Sequence, residues 1–545
     1  MNPTGLLLAT FILSVVGLFA FIWSLRKGLF DAESSGAKTI FSTGEIGRTE
    51  EPAASRQQHQ ALQQVADRGD VRRGQRQDVS IDDLAAREAA DRSSAFPAFV
   101  LFACAVVWLV AGSAAGLVSS LKLHWPDLLT DTAWLSFGRL RAIHLNAVAY
   151  GWAPMGLLGL AMWMLPRLLK TPLLGGRLII IGAVIWNAGL IAGLGGIAAG
   201  INAGLEWLEI PWQIGVLFAV GGMLIGLPLA LMLPRRKVHH LYVSVWYMGA
   251  ALFWFPTLYL VAKIPGVHFG IEMATMNWWF GHNVLGLFFT PLSIACVYYF
   301  LPKVIGRPVQ SYNLSLLGFW TLAFFYGQVG AHHLIGSPVP EWLITLSIVQ
   351  SVMMIIPVVA FSLNQHLTLK DHFGALRHSP TLRFIFFGAT MYTVASLQGS
   401  MEALRSLNAV THFTHFTVAH AHLGMYGFVS MVIFGGVYFA MPRILDTPWP
   451  KPKLIALHFW LVLTGFAIYI VTLSIGGVLQ GLTLLDPARQ FMDSVAVTLP
   501  WLQGRSLGGT LMTLGHLCFA MHVVLISLRS GVLTQPVRAA IHSPA

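Results

Sequence analysis

Residues Thr411 to Phe428 read THFTHFTVAHAHLGMYGF and hold two histidines, His420 and His422, separated by a single alanine. On an α-helix, residues two positions apart point about 200° away from each other. The two imidazoles therefore leave opposite sides of one helix. The apolar run that continues to about Met441 is long enough to cross a bilayer, and ionisable groups at membrane depth are rare and usually functional. The stretch predicts a transmembrane helix that can hold two cofactors side by side.

The composition of the whole chain is that of an integral membrane protein. Of its 545 residues, 55% are hydrophobic and only 10% are charged, which is too apolar for a soluble globule. Lys and Arg total 34 against 23 Asp and Glu, a net charge of +11. These basic residues gather in alternate loops, so the excess indicates membrane topology and not nucleic-acid binding. The three cysteines lie in apolar runs without metal-binding or disulfide spacing.

The apolar runs predict an all-α membrane protein with three parts. Residues 1–30 form an N-terminal transmembrane helix, residues 31–95 a polar cytoplasmic linker, and residues 96–545 a domain of further spans. The chain shows no β-barrel alternation, so the spans form a helical bundle. The predicted spans of the last part are 96–121, 139–168, 177–202, 211–234, 240–263, 277–302, 312–335, 341–364, 382–404, 415–442, 455–481 and 506–530.

The basic residues orient these twelve spans without any use of the histidines. Lys and Arg follow the even-numbered spans, so even spans run from the outside to the cytoplasm. Six histidines then fall in the outer half of the bilayer: His144, His282, His332, His333, His420 and His422. Single histidines in apolar helices are usually hydrogen-bonded core residues, but core packing does not explain six at one depth. His412 and His415 remain alternative ligands.

The histidines suggest a centre with two metals. His332 and His333 end one helix and, with His282, offer three neutral imidazoles to one ion. Such a set suits copper, and zinc or iron less decisively. His420 would hold a haem iron that faces this ion.

The second histidine of the pair suggests a different haem site. His422, on the opposite side of the helix, would hold a second haem with His144 as the other axial ligand. A haem with both axial positions filled can pass electrons but cannot bind substrate.

Five segments carry a resemblance to a known family: SFGRLRAIHLNAV, NWWFGHNVLGLFFTPLSIACVYYFLPK, RPVQSYNLSLLGFW, GAHHL and FTVAHAHLG. From about Ala95 to the last helix, the chain resembles the catalytic subunit I of cbb3-type cytochrome c oxidases in the haem–copper superfamily. The resemblance implies a twelve-helix haem–copper oxidase bundle with two b-type haems and one copper. The implied ligands are His144 and His422 for the low-spin haem, His420 for the high-spin haem, and His282, His332 and His333 for the copper.

The resemblance also implies a catalytic tyrosine. Tyr326 matches the tyrosine that this family joins covalently to its first copper-ligand histidine. On an α-helix, Tyr326 would share a face with His333 and lie about 10 Å deeper toward the cytoplasm. Ser315, eleven residues earlier, would lie on the same face. We expect Ser315, Tyr326 and Tyr392 to line one inward-facing proton path, although a serine or tyrosine in a membrane helix is more often bonded to backbone.

Three further residues bear on the haem surroundings. Arg141 matches a position expected to pair with a haem propionate, but an arginine that anchors the helix at the membrane interface would look the same. Where the family usually has an acidic residue, this chain has Gln398, and Glu402 follows one turn later on the same face. Glu402 is therefore a candidate substitute for that acid.

The amino-terminal part carries a second, shorter resemblance. The segment FAFIWSLRKGLFDAESSGAKTIF resembles the small single-span protein that assists maturation of these oxidases. The chain would then join an assembly helper to a catalytic subunit.

Together these resemblances imply a proton-translocating cytochrome c oxidase in a bacterial inner membrane. Electrons from a cytochrome c would reduce O2 to water, and the protons would come from the cytoplasm. The sequence has no CxxCH motif for a covalent haem c, so membrane-anchored c-type cytochrome subunits are expected partners. Two alternatives are a nitric oxide reductase of the same superfamily with non-haem iron, and a non-redox transporter with twelve spans.

Overall fold

In this computed structural model, the structure describes residues 35–42, 44–69 and 81–532, with a few isolated positions before residue 30. The described part is helical and contains no strand. This confirms the prediction of an all-α fold. The predicted N-terminal transmembrane helix, residues 1–30, lies outside the described ranges apart from those isolated positions.

The main helices correspond in order to the predicted spans of residues 96–545. They are α1 (Ile81–Lys122), α2 (Phe137–Leu169), α3 (Gly176–Ala199), α4 (Trp212–Arg235), α5 (Val243–Lys263), α6 (Gly270–Ile305), α7 (Tyr312–Leu334), α8 (Glu341–Leu369), α9 (Pro380–Glu402), α10 (His415–Ile444), α11 (Lys453–Leu485) and α12 (Phe491–Ser530). Eleven of the described helices are long and apolar enough to cross a membrane. The helix outside that set is α9, which carries Arg383 and Glu402 in its length.

The predicted linker contains more structure than its polar composition suggested. Short helices cover Ser35–Lys38 and Arg56–Gly69, and α1 begins at Ile81, before the predicted domain boundary at residue 95. Asp82 and Asp83 lie in the first turn of α1, where the helix dipole favours acidic side chains. The polar stretch before residue 95 therefore extends the first helix of the bundle.

Three helices form the centre of the bundle. In α2, α6 and α10, 89% or more of the most apolar window is buried, against 50% or less in the other membrane-spanning helices. Each central helix also contains a π-helical stretch: Ala147–Trp152, Leu285–Phe289 and Leu423–Ser430. Each stretch starts within one turn after a predicted ligand: His144, His282 or His422. π-helical turns often mark functional sites because they widen the helix locally.

Candidate functional site

Three imidazoles meet between α6 and the end of α7. The side chains of His282, His332 and His333 each offer a ring nitrogen, and these nitrogens all lie within 4.8 Å of one another. The His282 ring centroid is 5.0 Å from that of His332 and 5.3 Å from that of His333. The buried Nδ1 of His282 has no hydrogen-bond partner among the described residues. A buried ring nitrogen without a partner, facing two more imidazoles, fits a metal ligand set.

Neighbouring side chains fix the directions of these rings. The ring of His333 stacks on Trp278 with centroids 4.1 Å apart, and Nδ1 of His332 lies 3.1 Å from the Ser351 hydroxyl. Gly330 lets α7 approach α6 closely, since a Cβ there would overlap the carbonyl of Trp278. Contacts of this kind orient metal-binding imidazoles.

Tyr326 lies beside this cluster, by a different geometry from the one predicted. The prediction assumed an α-helix from Tyr326 to His333, but α7 is a 3-10 helix over Tyr326–Leu334. With about three residues per turn, seven residues do not return to the same face. The ring of Tyr326 instead contacts the cluster through His282 of α6, with centroids 5.1 Å apart.

His420 lies against α9. Its Nδ1 is 3.2 Å from Oε1 of Gln398 and 3.5 Å from Oε2 of Glu402. A Cβ at Gly399 would lie 2.9 Å from Cε1 of His420, so a glycine is needed beside this ring. With Nδ1–H donated to Gln398, Nε2 is the nitrogen available to a metal. The amide and the neighbouring carboxylate both reach the ring, one turn apart on α9.

His144 and His422 face each other across a gap. Their rings are nearly parallel, at 8°, with centroids 6.2 Å apart. Nδ1 of His144 donates to the carbonyl of Gly112 and Nδ1 of His422 to that of Val418, both at 2.8 Å. These bonds leave Nε2 of each ring as the ligand atom. The Tyr469 hydroxyl lies 3.3 Å from Nε2 of His422, a contact that a metal bond would replace.

The spacing of this pair fits one metal atom between two imidazoles. Bonds between imidazole nitrogen and a metal are about 2.0–2.1 Å long, and rings in direct stacking contact would be closer together. Gly116 makes the space for one of the rings, because a Cβ there would lie 2.7 Å from Cε1 of His144. The donor set and its spacing therefore suit a metal with two axial imidazoles.

The arginines near this pair differ from the prediction. Arg141 forms a salt bridge with Glu206 at 2.6 Å, and its side chain is 49% exposed. Arg505 of α12, which was not predicted from the sequence, lies over the ring of Tyr469 at 5.6 Å. Its buried Nε has no partner among the described residues. Its position within a long apolar helix was the available signal, since intramembrane arginines are rare.

The predicted proton-path residues lie on the cytoplasmic side of Tyr326. Ser315 is fully buried and donates to the carbonyl of Tyr312 at 2.6 Å. Tyr392 lies between the rings of Phe361 and Phe428. Backbone bonding of Ser315 is the ordinary contact of a serine in an apolar helix.

Two polar side chains on the same side were missed from the sequence. Tyr298 and Gln365 border a small cavity. The Tyr298 hydroxyl and both side-chain polar atoms of Gln365 are buried without a hydrogen-bond partner among the described residues. Such groups usually bind water inside a protein.

The alternative histidines make other contacts. The ring of His412 stacks on Phe413 with centroids 3.9 Å apart. The backbone N–H of His415 donates to Oε1 of Gln480 at 3.0 Å. Neither belongs to the group of His282, His332 and His333 that can reach one ion.

Comparison with known proteins agrees with this geometry. Residues 97–511 match the family described as Cytochrome C and Quinol oxidase polypeptide I. A cbb3-type cytochrome c oxidase subunit CcoN1 of Stutzerimonas stutzeri is 31% identical, over 76% of this chain and 91% of that protein. One polypeptide of a nitric oxide reductase from the same organism is 25% identical, over 77% of this chain and 92% of that protein. The cryo-EM structure of a heme-copper terminal oxidase dimer has a TM-score of 0.64 and 16% identity, and the match covers 82% of this chain and 84% of that chain.

These findings confirm the resemblance that the histidine segments indicated. The family match covers most of the chain, and the fold agrees with that of a solved terminal oxidase. The family implies haem and copper cofactors. The chain therefore belongs to the cytochrome c and quinol oxidase polypeptide I family and is the catalytic subunit of a terminal oxidase, an oxidoreductase that crosses a bacterial inner membrane many times.

Proposed function

We propose that this chain reduces O2 to water with electrons from a cytochrome c, takes protons from the cytoplasm and translocates protons. The observation that carries the proposal is the convergence of His282, His332 and His333, with ring nitrogens within 4.8 Å of one another and Tyr326 beside them. Three imidazoles suit copper, and a phenol beside them suits the reduction of O2.

The proposed cofactors are two b-type haems and one copper. His144 and His422 would hold the low-spin haem, and His420 the high-spin haem. His282, His332 and His333 would hold the copper. When bound, the low-spin haem passes electrons, and the high-spin haem and the copper together bind and reduce O2.

The residues of this chain would control proton positions around these groups. The acceptors on Nδ1 of His144 and His422 keep both rings in the tautomer whose Nε2 can bind iron. Gln398 does the same for His420. Tyr326 would supply one electron and one proton, because cleavage of the O–O bond needs four electrons quickly and the metals supply three.

Protons would reach Tyr326 from the cytoplasm. Ser315 and Tyr392 are the proposed path residues, and Tyr298 and Gln365 add buried polar atoms that need water partners. Water between such groups carries protons by exchange of hydrogen bonds. Arg141 and Arg505 are the proposed cationic neighbours of the low-spin haem carboxylates.

The partners follow from the electron route. The sequence contains no CxxCH, so a covalent haem c would belong to another chain. We propose membrane-anchored c-type cytochrome subunits as the partners that receive electrons from cytochrome c.

A nitric oxide reductase is the second candidate, because a protein with that name matches a similar span of this chain. Such an enzyme is expected to place carboxylates by its non-haem iron. Among the described residues, the group that can reach one ion consists of three histidines, and Glu402 lies beside His420. The oxidase is therefore favoured.

Metal analysis and a visible spectrum of the purified protein test the proposal. One copper for every two b-type haems is the expected result. Non-haem iron without copper would favour the reductase. Absence of b-type haem would support only a transporter without redox chemistry.

A further inference from the structure

The three central helices end in the same way on the cytoplasmic side. The sequences LPR, LPK and MPR lie near the ends of α2, α6 and α10 and place Arg167, Lys303 and Arg443 at corresponding positions. Arg87 of α1 approaches the same place. The side chains of Arg167 and Lys303 are only 4% and 7% exposed. Four basic residues thus come together at helix ends, where like charges repel one another.

Two carboxylates from the segment before α1 neutralise this cluster. Glu50 pairs with Arg87, with Arg443 at 2.8 Å and with Arg167 at 3.5 Å. Glu45 pairs with Arg87 and with Lys303, the latter at 2.9 Å. The Glu50 side chain is 9% exposed, so these pairs are shielded from solvent.

A third carboxylate of this segment binds a helix N-terminus. Glu51 accepts hydrogen bonds from the hydroxyls of Ser379 and Thr381 and from the backbone N–H of Thr381 at 3.2 Å. These donors lie at the start of α9, where the N–H groups and the helix dipole favour an anion. Glu51 is 3% exposed.

The backbone of the segment fits the same surface. The N–H of Gly47 donates to the carbonyl of Gly306 at 2.7 Å, and the N–H of Glu50 donates to the carbonyl of Lys303 at 3.1 Å. Gly306 has a φ of +68°, and a Cβ there would lie 2.9 Å from the backbone nitrogen of Arg48. The end of α6 is therefore shaped for close contact with this segment.

Buried ion pairs are costly to break on one side. If the segment left, Arg87, Lys303 and Arg443 would lose the carboxylates described above while remaining close together, and an uncompensated charge in a shielded site is strongly unfavourable. On the side of the bundle, Asp91 pairs with Arg167 at 2.6 Å. The cluster thus needs acidic side chains from outside the bundle.

We propose that the cytoplasmic ends of α1, α2, α6 and α10 form a binding site for an acidic peptide, and that residues 42–54 of this chain are its resident ligand. The segment is held by its own charges and backbone contacts, so its binding does not depend on the covalent connection through residues 70–80. Glu45, Glu50 and Glu51 are the recognised side chains.

The test uses the full chain with a specific protease site inserted between Gly74 and Gln75. The intact protein is purified in detergent, cut, and passed over a size-exclusion column. We expect most of the amino-terminal fragment to elute with the haem-containing part. In the double variant Glu45→Gln and Glu50→Gln, only a small minority should remain. Glu88→Gln is the matched control, because Glu88 forms an exposed pair with Arg92.

Each other outcome overturns the proposal. Release of the fragment from the wild-type protein would show that the segment needs its covalent connection. Equal retention in the double variant would show that other contacts, such as the predicted span 1–30, hold the fragment. Release from the Glu88→Gln control would show that any loss of charge suffices.

A peptide competition keeps the test valid if the double variant does not fold, as judged from its haem spectrum. A synthetic peptide of residues 35–54 is added to the cut wild-type protein. It should displace the fragment at an at least about tenfold lower concentration than the same peptide with glutamine at positions 45 and 50. Equal potency of the two peptides would overturn the proposal.

Discussion

Gly286 of α6 leaves the space that the ring of Tyr326 occupies. A Cβ at this position would overlap the ring of the tyrosine. Gly286 lies one turn beyond His282, whose ring is 5.1 Å from that of Tyr326. One glycine thus sets the distance between the proposed catalytic phenol and a proposed copper ligand.

Gly286→Ala should displace Tyr326 and greatly reduce oxygen uptake, while the signal of the low-spin haem persists. The reason is local, since the new methyl group would occupy the place of the ring. Oxygen uptake and the visible spectrum are the measurements. Gly195→Ala is the control, because nothing lies within 4 Å of a Cβ at Gly195. Full activity of Gly286→Ala would contradict this packing.

Tyr326→Phe should keep haem and metal but lower oxygen reduction by orders of magnitude. The substitution retains the ring and removes the hydroxyl that would supply an electron and a proton, a demand that nitric oxide reduction does not make. The measurement is oxygen uptake by spectrally intact protein with an artificial electron donor. Tyr438→Phe, which removes a hydroxyl 3.0 Å from Nδ1 of His458, is the control. Near-normal uptake by Tyr326→Phe would refute the role of this residue and the preference for the oxidase.

His422→Ala should remove the low-spin haem signal and leave some high-spin haem, and His420→Ala should do the reverse. His422 faces His144, with nearly parallel rings, whereas His420 lies against Gln398. The visible spectra of the oxidised and reduced proteins separate the two species. Loss of the same species in both variants would disprove the assignment of two haems to two sides of one helix.

Gln398→Glu should lower the reduction potential of the haem on His420 by tens of millivolts. A carboxylate acceptor makes the imidazole more basic and stabilises the oxidised iron. Glu402→Gln should raise the potential, since it removes a negative charge 3.5 Å from the same nitrogen. A redox titration measures both. Gln480→Glu, whose amide accepts from the backbone of His415, should leave this potential unchanged, and equal shifts in all three variants would argue against a specific contact.

Acid should release the amino-terminal segment from the cut protein. Burial alone would raise the pKa of Glu50, but Arg87, Arg167 and Arg443 outweigh this effect and hold that pKa well below its usual range. Burial also raises the pKa of Glu45, and the charges of Lys303 and Arg87 lower it further than burial raises it.

A carboxyl group with a lowered pKa in the bound state stabilises binding above its free pKa, about 4.3, and this stabilisation is lost as the pH falls below it. Glu51 acts in the opposite sense, because burial raises its pKa more than its hydrogen bonds lower it. Fragment retention should therefore be nearly constant from neutral pH down to about pH 5 and fall below about pH 4.5. Retention that instead falls as the pH rises would show that Glu51 dominates.

The amino-acid sequence alone determined the helical fold, the orientation and the candidate ligands. Apolar runs of bilayer length need no tertiary information, because each membrane helix satisfies its own backbone hydrogen bonds. The spacing of His420 and His422 placed the two rings on different sides of one helix, since residues two apart always diverge on an α-helix.

Only the tertiary structure decided how side chains from different helices meet. The 3-10 winding of Tyr326–Leu334 changed the face of Tyr326, and a sequence with apolar residues on every side does not reveal such a local change of pitch. The contacts of Arg505 with Tyr469 and of Glu50 with Arg443 join residues far apart in the chain. Charge pairing across that distance depends on helix packing, so the polar composition of residues 31–95 predicted a linker where part of it is a docked segment.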